Sequence, residues 1–165
     1  KKGRIISIAS VIAVMGNAGQ ANYAASKMGL VGLSKSIALD MQRFNVRSNC
    51  IAPFAMTPMV MAGIPRETEE EKARWKVIER MQPEKIAPLV CALIADAGAQ
   101  ISGQIFGARA NEVYFISQPR PVRTAHVGGE EGISAEAIID KVFPMFQHDL
   151  YPLHRSLDVF NWDPV

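Results

Sequence analysis

Glycine-rich phosphate loops, metal-ligand clusters and long apolar runs are all missing from this chain of 165 residues. Aromatic residues are scarce at 7%, and the chain holds two cysteines and three histidines. Each scarcity excludes something. Cys50 and Cys91 lie in the apolar stretches Asn49-Cys50-Ile51 and Val90-Cys91-Ala92, which predicts two reduced, buried thiols of a cytoplasmic protein, not a disulfide. His126, His148 and His154 have no ligand spacing to one another or to cysteine, so no metal site is expected. No apolar run approaches the roughly 18 residues that cross a bilayer, so no membrane partner is expected. The net charge of +2 gives no reason to expect nucleic acid. The basic start Lys1-Lys2-Gly3-Arg4 and the apolar Ile5 to Val14 imitate a signal peptide, but Ser7 and Ser10 interrupt the run and a strand accounts for it better.

What is present is ordinary for a soluble domain: 48% hydrophobic and 21% charged residues, in a chain long enough for one real core. Arg4 to Ala9 is a β-branched run with no charge after its first residue, which predicts a strand buried on both faces. Val11 to Ala21 holds Gly16, Asn17 and Gly19 and predicts a loop. Asn22 then caps a long helix, about Tyr23 to Arg43, carrying the small residues Ala25, Gly29 and Gly32. Each glycine costs a helix roughly 1 kcal/mol, so two of them point to close packing against another helix or backbone.

Val46 to Ala52 predicts a second buried strand, and Pro53 to Pro65 an irregular stretch with three prolines and three methionines. Glu67 to Met81 is a charged amphipathic helix, Pro83 to about Asp96 another, and Ile101 to Ala108 a third strand. Strand and helix alternate as in a parallel α/β sheet. Yet Gly16, Gly19, Gly29, Gly32, Gly103 and Gly107 never fall into the G-x-G-x-x-G spacing that cradles a dinucleotide. The expectation is therefore an α/β chain, the second half of a Rossmann-type doubly wound sheet in three layers, with the first half absent. Residues 1–109 would form that half and 110–165 a C-terminal extension packing on the domain or on a partner subunit. Within the extension, Asn111 to Ser117 predicts a strand, Gln118 to Val122 an extended segment, and Ser134 the cap of a helix to about Phe146. The tail, with Tyr151, Leu153, Val159, Phe160 and Trp162, should dock on a surface of its own subunit or a neighbour's.

Three residues carry chemistry. Ser10 ends the first strand, Tyr23 follows 13 residues later, and Lys27 four after that. Tyrosine and lysine at i and i+4 share one face of a helix. Hydride transfer to a carbonyl carbon needs a proton at the oxygen. A phenol alone is too weak an acid for that near neutral pH, and a neighbouring ammonium strengthens it. Lys27 is placed for that role, and Ser10 for a hydrogen bond to the substrate oxygen. The alternative is a core aromatic beside a solvated surface charge. Against it stands the position of all three at the carboxyl end of a strand, the edge where open α/β sheets bind ligands.

Gly3-Arg4-Ile5-Ile6-Ser7-Ile8-Ala9-Ser10-Val11, then Gly19-Gln20-Ala21-Asn22-Tyr23-Ala24-Ala25-Ser26-Lys27, resemble the active-site segment of short-chain dehydrogenases/reductases. The match is close to bacterial 3-oxoacyl-acyl-carrier-protein reductases. Asn49-Cys50-Ile51-Ala52-Pro53 is similar to the family's next motif. The resemblance implies a Rossmann fold and NAD or NADP as cofactor, with Tyr23 as acid/base, Lys27 on the nicotinamide ribose and Ser10 on the substrate oxygen. It also implies cofactor contacts at Pro53 and Thr57. Two departures fall there: Phe54 stands where the family usually has glycine, and Thr57 comes four residues after the proline instead of five. Pro53-Phe54-Ala55-Met56-Thr57-Pro58-Met59, Ile86-Ala87-Pro88-Leu89-Val90 and Gly103-Gln104-Ile105-Phe106 are similar to the (3R)-hydroxyacyl-CoA dehydrogenase unit of multifunctional β-oxidation enzymes.

The implied activity is oxidoreduction of a 3-hydroxyacyl or 3-oxoacyl thioester. Another alcohol or ketone, such as a steroid or sugar, and a non-catalytic assembly module are the alternatives. Met56, Met59 and Met61 would line an acyl pocket under a lid. The helix starting at Tyr23 would pair subunits into a homodimer or homotetramer.

Overall fold

A computed structural model describes residues 2–128 and 132–165. Four strands form one sheet in the order β1-β2-β3-β4: β1 Gly3–Ile8, β2 Val46–Phe54, β3 Ile105–Arg109 and β4 Glu112–Ile116. The first three run parallel, with Ile8 opposite Ile51 and Ala52 opposite Gly107, and β4 returns antiparallel. Side chains alternate across a strand, so β2 feeds two cores. Cys50 and Ala52 pack with Val31 of helix α2 (Ala21–Met41), and Ile51 packs with Leu89 and Leu93 of helix α5 (Ala87–Ile94) on the opposite face. The result is the three-layer α/β/α arrangement.

Polar side chains fasten these layers where apolar packing alone would allow slippage. Ser34 of α2 and Ser48 of β2 share a buried 2.8 Å hydrogen bond. The Asn49 amide donates to Ile101 O at 3.0 Å and accepts from Gln104 N at 3.0 Å, which holds the chain leading into β3. Asparagine suits this buried position because it carries both a donor and an acceptor. At Gly107 a Cβ would lie 2.9 Å from Tyr114 Cδ2 and 3.2 Å from Ala52 O, so only glycine lets β2, β3 and β4 close up here.

Several expectations need correction. β1 is not buried on both faces: Ile5 is 38% and Ile8 55% exposed, because β1 borders the sheet and pairs only with β2. Residues after Ser10 are not all loop; helix α1 spans Val11–Met15 and stops at Gly16, whose φ of 80° favours glycine. Helix α2 begins at Ala21, so Asn22 lies inside its first turn and is not its cap. A short helix α3, Pro58–Ala62, interrupts the proline-rich stretch. Helix α4, Glu69–Ile78, starts on a capping box formed by Thr68 and Glu71. Cys50 is buried as expected, but Cys91 faces outward. Position 91 falls on the outer side of α5, opposite the stripe through Leu89 and Leu93.

The chain divides into two compact units, residues 1–117 with 154–165, and residues 118–153. In the first, the tail docks on its own sheet. Helix α8 (Ser156–Val159) leads into Phe160, which is buried between Phe54 and Tyr114 at ring-centroid distances of 6.0 and 4.8 Å. Burying one such ring contributes roughly 1.5–3 kcal/mol. Asn111 N donates to Val165 O at 2.6 Å, so the last residues are also held by backbone.

The second unit is helical. Ser134 caps helix α6 (Ala135–Ala137) through a 3.1 Å bond from Ala137 N. The helix widens to a π turn over Ile138–Val142 and continues as α7, Phe143–Phe146. Pro144 has no N–H to offer the preceding turn, which accounts for the widening.

Candidate active site

Each of the three chemistry-bearing residues is placed by a different local device. Ser10 lies two residues past the end of β1 and is the N-cap of α1: its Oγ accepts from Ile12 N at 3.2 Å, and only 7% of the residue is exposed. Because the bond uses a lone pair of the hydroxyl, the Ser10 O–H still has its proton to donate. Tyr23 lies in the first turn of α2 with 39% of its surface open. Lys27, one turn on, sits with its Nζ 5.9 Å from the centre of the Tyr23 ring and donates to the main-chain Ile8 O at 3.0 Å. Ile8 is the last residue of β1, two before Ser10. The Lys27 ammonium thus reaches the carboxyl end of β1, two residues before Ser10, with the Tyr23 ring 5.9 Å away.

The other two residues stand on the neighbouring strand and loop. Pro53 is in register with Ala108 near the end of β2. Its position in a central strand is tolerated because the N–H it lacks would face β1, whose pairing ends at Ile51. Thr57 caps α3, its Oγ1 accepting from Val60 N at 3.5 Å. Neither residue makes a hydrogen bond to Ser10, Tyr23 or Lys27 among the described contacts.

Beyond Pro53 the loop bounds an apolar cavity of about 430 Å³, lined by Phe54, Met56, Val60, Ile64, Ile78 and Met81 among others. Phe54, where the related motif carries glycine, is thus a wall of this cavity. Of the three methionines singled out in the sequence, Met56 is 3% exposed and lines it. Met61 packs against the same cluster, whereas Met59 is 86% exposed and lies outside it.

A polar cluster that the sequence did not single out joins the β3–β4 hairpin to Trp162 of the tail. Glu112 accepts from Arg109 Nε at 2.7 Å, from Trp162 Nε1 at 2.8 Å and from the Tyr114 hydroxyl. Burial alone would raise the Glu112 carboxyl; the guanidinium, phenol and indole outweigh it and hold the group at about 2. Burial, with the Glu112 carboxylate beside it, pushes the Tyr114 phenol far upward. The signal available in the sequence was the alternation Glu112-x-Tyr114, which puts both side chains on one face of a strand.

The residues present fit one end of a nicotinamide dinucleotide. Among the described residues one of the three Lys27 ammonium donors is taken, by Ile8 O, and the other two suit ribose hydroxyls. Tyr23, one turn before Lys27, is 39% exposed.

Residues 1–108 match the family described as Enoyl-(Acyl carrier protein) reductase. The 3-oxoacyl-[acyl-carrier-protein] reductase FabG of Thermotoga maritima is 36% identical over 114 residues, which is 65% of this chain and 44% of that protein. The peroxisomal hydratase-dehydrogenase-epimerase of Saccharomyces cerevisiae is 40% identical over 125 residues, 76% of this chain and 12% of that protein. A short-chain dehydrogenase from Mycobacterium avium superposes with a TM-score of 0.67 at 25% identity, covering 92% of this chain and 47% of that one. The chain thus spans less than half the length of each of these proteins. The match over residues 1–108 and the parallel sheet agree, and the chain belongs to the short-chain dehydrogenase/reductase family.

Proposed function

We propose that this chain supplies the catalytic half of an NAD- or NADP-dependent oxidoreductase that interconverts a 3-hydroxyacyl and a 3-oxoacyl thioester. The observation that supports the reading is the bond of the Lys27 ammonium to Ile8 O, two residues before Ser10, with Tyr23 one helical turn from Lys27. The bound nicotinamide ring supplies or takes up the hydride. Tyr23 gives a proton to the substrate oxygen in reduction and takes it in oxidation. The Ser10 O–H donates to the same oxygen and orients the carbonyl. Lys27, fixed by Ile8 O, stabilises charge that develops on the phenol oxygen and holds the ribose. Pro53 and Thr57 border the cofactor. The apolar cavity behind Phe54 and Met56 is suited to an acyl chain, which favours a fatty acyl thioester over a sugar.

Residues 1–109 act as the dehydrogenase half and 110–165 as the extension. Helix α2 pairs subunits: space beside Gly29 and Gly32 is open, and Leu33 and Leu39 are 52% and 70% exposed. The free thiols Cys50 and Cys91 suit a reducing, cytoplasmic setting. Kinetics of the intact protein with 3-oxoacyl thioesters of increasing length, with NADH and with NADPH, test the reading. Activity should rise with chain length, and preference for a short polar ketone over every thioester would refute it.

A further inference from the structure

Beside the apolar cavity of about 430 Å³ lies a second, of about 620 Å³, between helix α4 and the docked tail. Both volumes fall within the roughly 300–1,000 Å³ of small-molecule sites. Phe54, Arg74, Ile78, Met81 and Leu157 line both, so they stand between the two. The larger cavity is also bordered by Glu70, Asn161 and Asp163. At the smaller one the Glu71 carboxylate is occupied by the backbone N–H groups of Glu67 and Thr68, which leaves it the better host for a hydrocarbon chain.

The shared residues are not equivalent. Phe54 packs on Phe160, and Met81 is buried with its carbonyl oxygen accepting from Met56 N at 2.7 Å. Ile78 packs in the cluster with Met56 and Met81. Arg74 is exposed and rotamer-rich, a wall that yields. Leu157 is 54% exposed and, among the described residues, belongs to none of the three apolar clusters. Its helix α8 is held without it: Ser156 and Phe160 are buried one turn apart, and Asp158 accepts from Arg155 N at 2.8 Å and Nε at 3.0 Å. The same helix touches α1, which Ser10 caps, and Phe160 shares its core with Ala9 and Val11 on either side of Ser10. Leu157 is thus an apolar side chain that the fold does not need, on a support tied to the segment carrying Ser10.

We propose that Leu157 is the partition between the two cavities and determines the length of acyl chain that the protein accepts. The proposal rests on the reading of the smaller cavity as the acyl site. A chain that reaches Leu157 covers its exposed surface and gains from that burial; a longer chain is stopped there. Trimming Leu157 to alanine joins the two cavities and admits further methylene groups, each of which tightens binding about four-fold when buried. Enlarging it to tryptophan fills the junction and turns longer chains away.

The test is calorimetric titration of the intact protein, Leu157→Ala and Leu157→Trp with the saturated butyryl, hexanoyl, octanoyl and decanoyl thioesters of N-acetylcysteamine. The readout is the ratio of decanoyl to butyryl affinity. Relative to the parent protein the ratio should rise at least about four-fold in Leu157→Ala and fall by a similar factor in Leu157→Trp, with circular dichroism unchanged. A ratio that stays the same in Leu157→Ala, affinity lost uniformly along the series, or no decanoyl binding to the parent protein overturns the proposal. If the tryptophan variant does not fold, the alanine variant decides alone. Turnover of the corresponding 3-oxoacyl thioesters with NADH and with NADPH, measured in parallel, separates the two claims. A ratio that shifts without any turnover refutes the oxidoreductase reading and upholds the partition. Turnover with a fixed ratio refutes the partition and upholds the reading.

Discussion

The ammonium of Lys27 donates to the main-chain carbonyl oxygen of Ile8 at 3.0 Å, joining the active-site helix to the last residue of β1. This bond fixes the cation 5.9 Å from the centre of the Tyr23 ring. A lysine on a solvated helix face would sample many rotamers; this one is held, and ordering so long a side chain costs up to about 2 kcal/mol. Lys27→Ala in the intact protein should therefore reduce turnover and raise the KM for nucleotide together. A change in thermal stability with both kinetic constants intact would reduce Lys27 to a structural tie.

Ser10 caps α1 through its Oγ, and under the proposed function its O–H also meets the substrate oxygen; the two duties separate cleanly. Loss of a serine cap to alanine costs about 1 kcal/mol, whereas glycine costs only a few tenths. Ser10→Ala should lower the melting temperature more than Ser10→Gly, while both lose turnover to a similar degree. Normal turnover in Ser10→Gly would assign Ser10 to capping alone.

Acid should weaken the hairpin cluster in a defined window. The Glu112 carboxyl is held at about 2 when folded, below its ordinary 4.5. A depressed carboxylate stabilises the fold fully above the unfolded value and loses that contribution as pH falls through the folded one. Asp158, kept at about 2 by its bonds to Arg155, titrates in the same range, so the comparison must be with Glu112→Gln. The stability gap between parent and variant, from urea midpoints, should be constant above pH 5 and close as pH approaches 2. A gap that does not change with pH would contradict the ion pair.

Titration of the 165-residue polypeptide by itself with NAD and NADP checks how much of the nucleotide site it contains. Micromolar affinity corresponds to about 8 kcal/mol. The hydrogen bonds available from Lys27 and Tyr23 contribute about 0.5–1.5 kcal/mol each. Binding should be weaker than millimolar, and a micromolar Kd would place the pyrophosphate site within these residues.

Much of the fold was legible because the relevant signals are local. A β-branched run announced β1, apolar stretches in a strand–helix alternation announced β2 and β3, although β3 starts at Ile105 and not at Ile101, and the i, i+4 spacing of Tyr23 and Lys27 put them on one helix face. What escaped depends on the third dimension. The exposure of Ile5 and Ile8 follows from which strands pair, not from β1 itself. Helix α1 was hidden because five residues are too few to show a period, and its cap, Ser10, was read only as chemistry. The Arg109, Glu112 and Trp162 cluster joins residues up to 53 apart, so no window of sequence contains it. The unequal fates of Met56 and Met59 likewise depend on how α3 sits over Met81.

The central claim is that Tyr23 exchanges a proton with the substrate oxygen, and Tyr23→Phe removes that hydroxyl while keeping the ring. Steady-state turnover of the intact protein with a 3-oxoacyl thioester and NADPH or NADH, whichever it uses, measures the effect. The account predicts a fall of about 10²- to 10⁴-fold in kcat with nucleotide affinity changed far less. Turnover within a few-fold of the parent protein would contradict it.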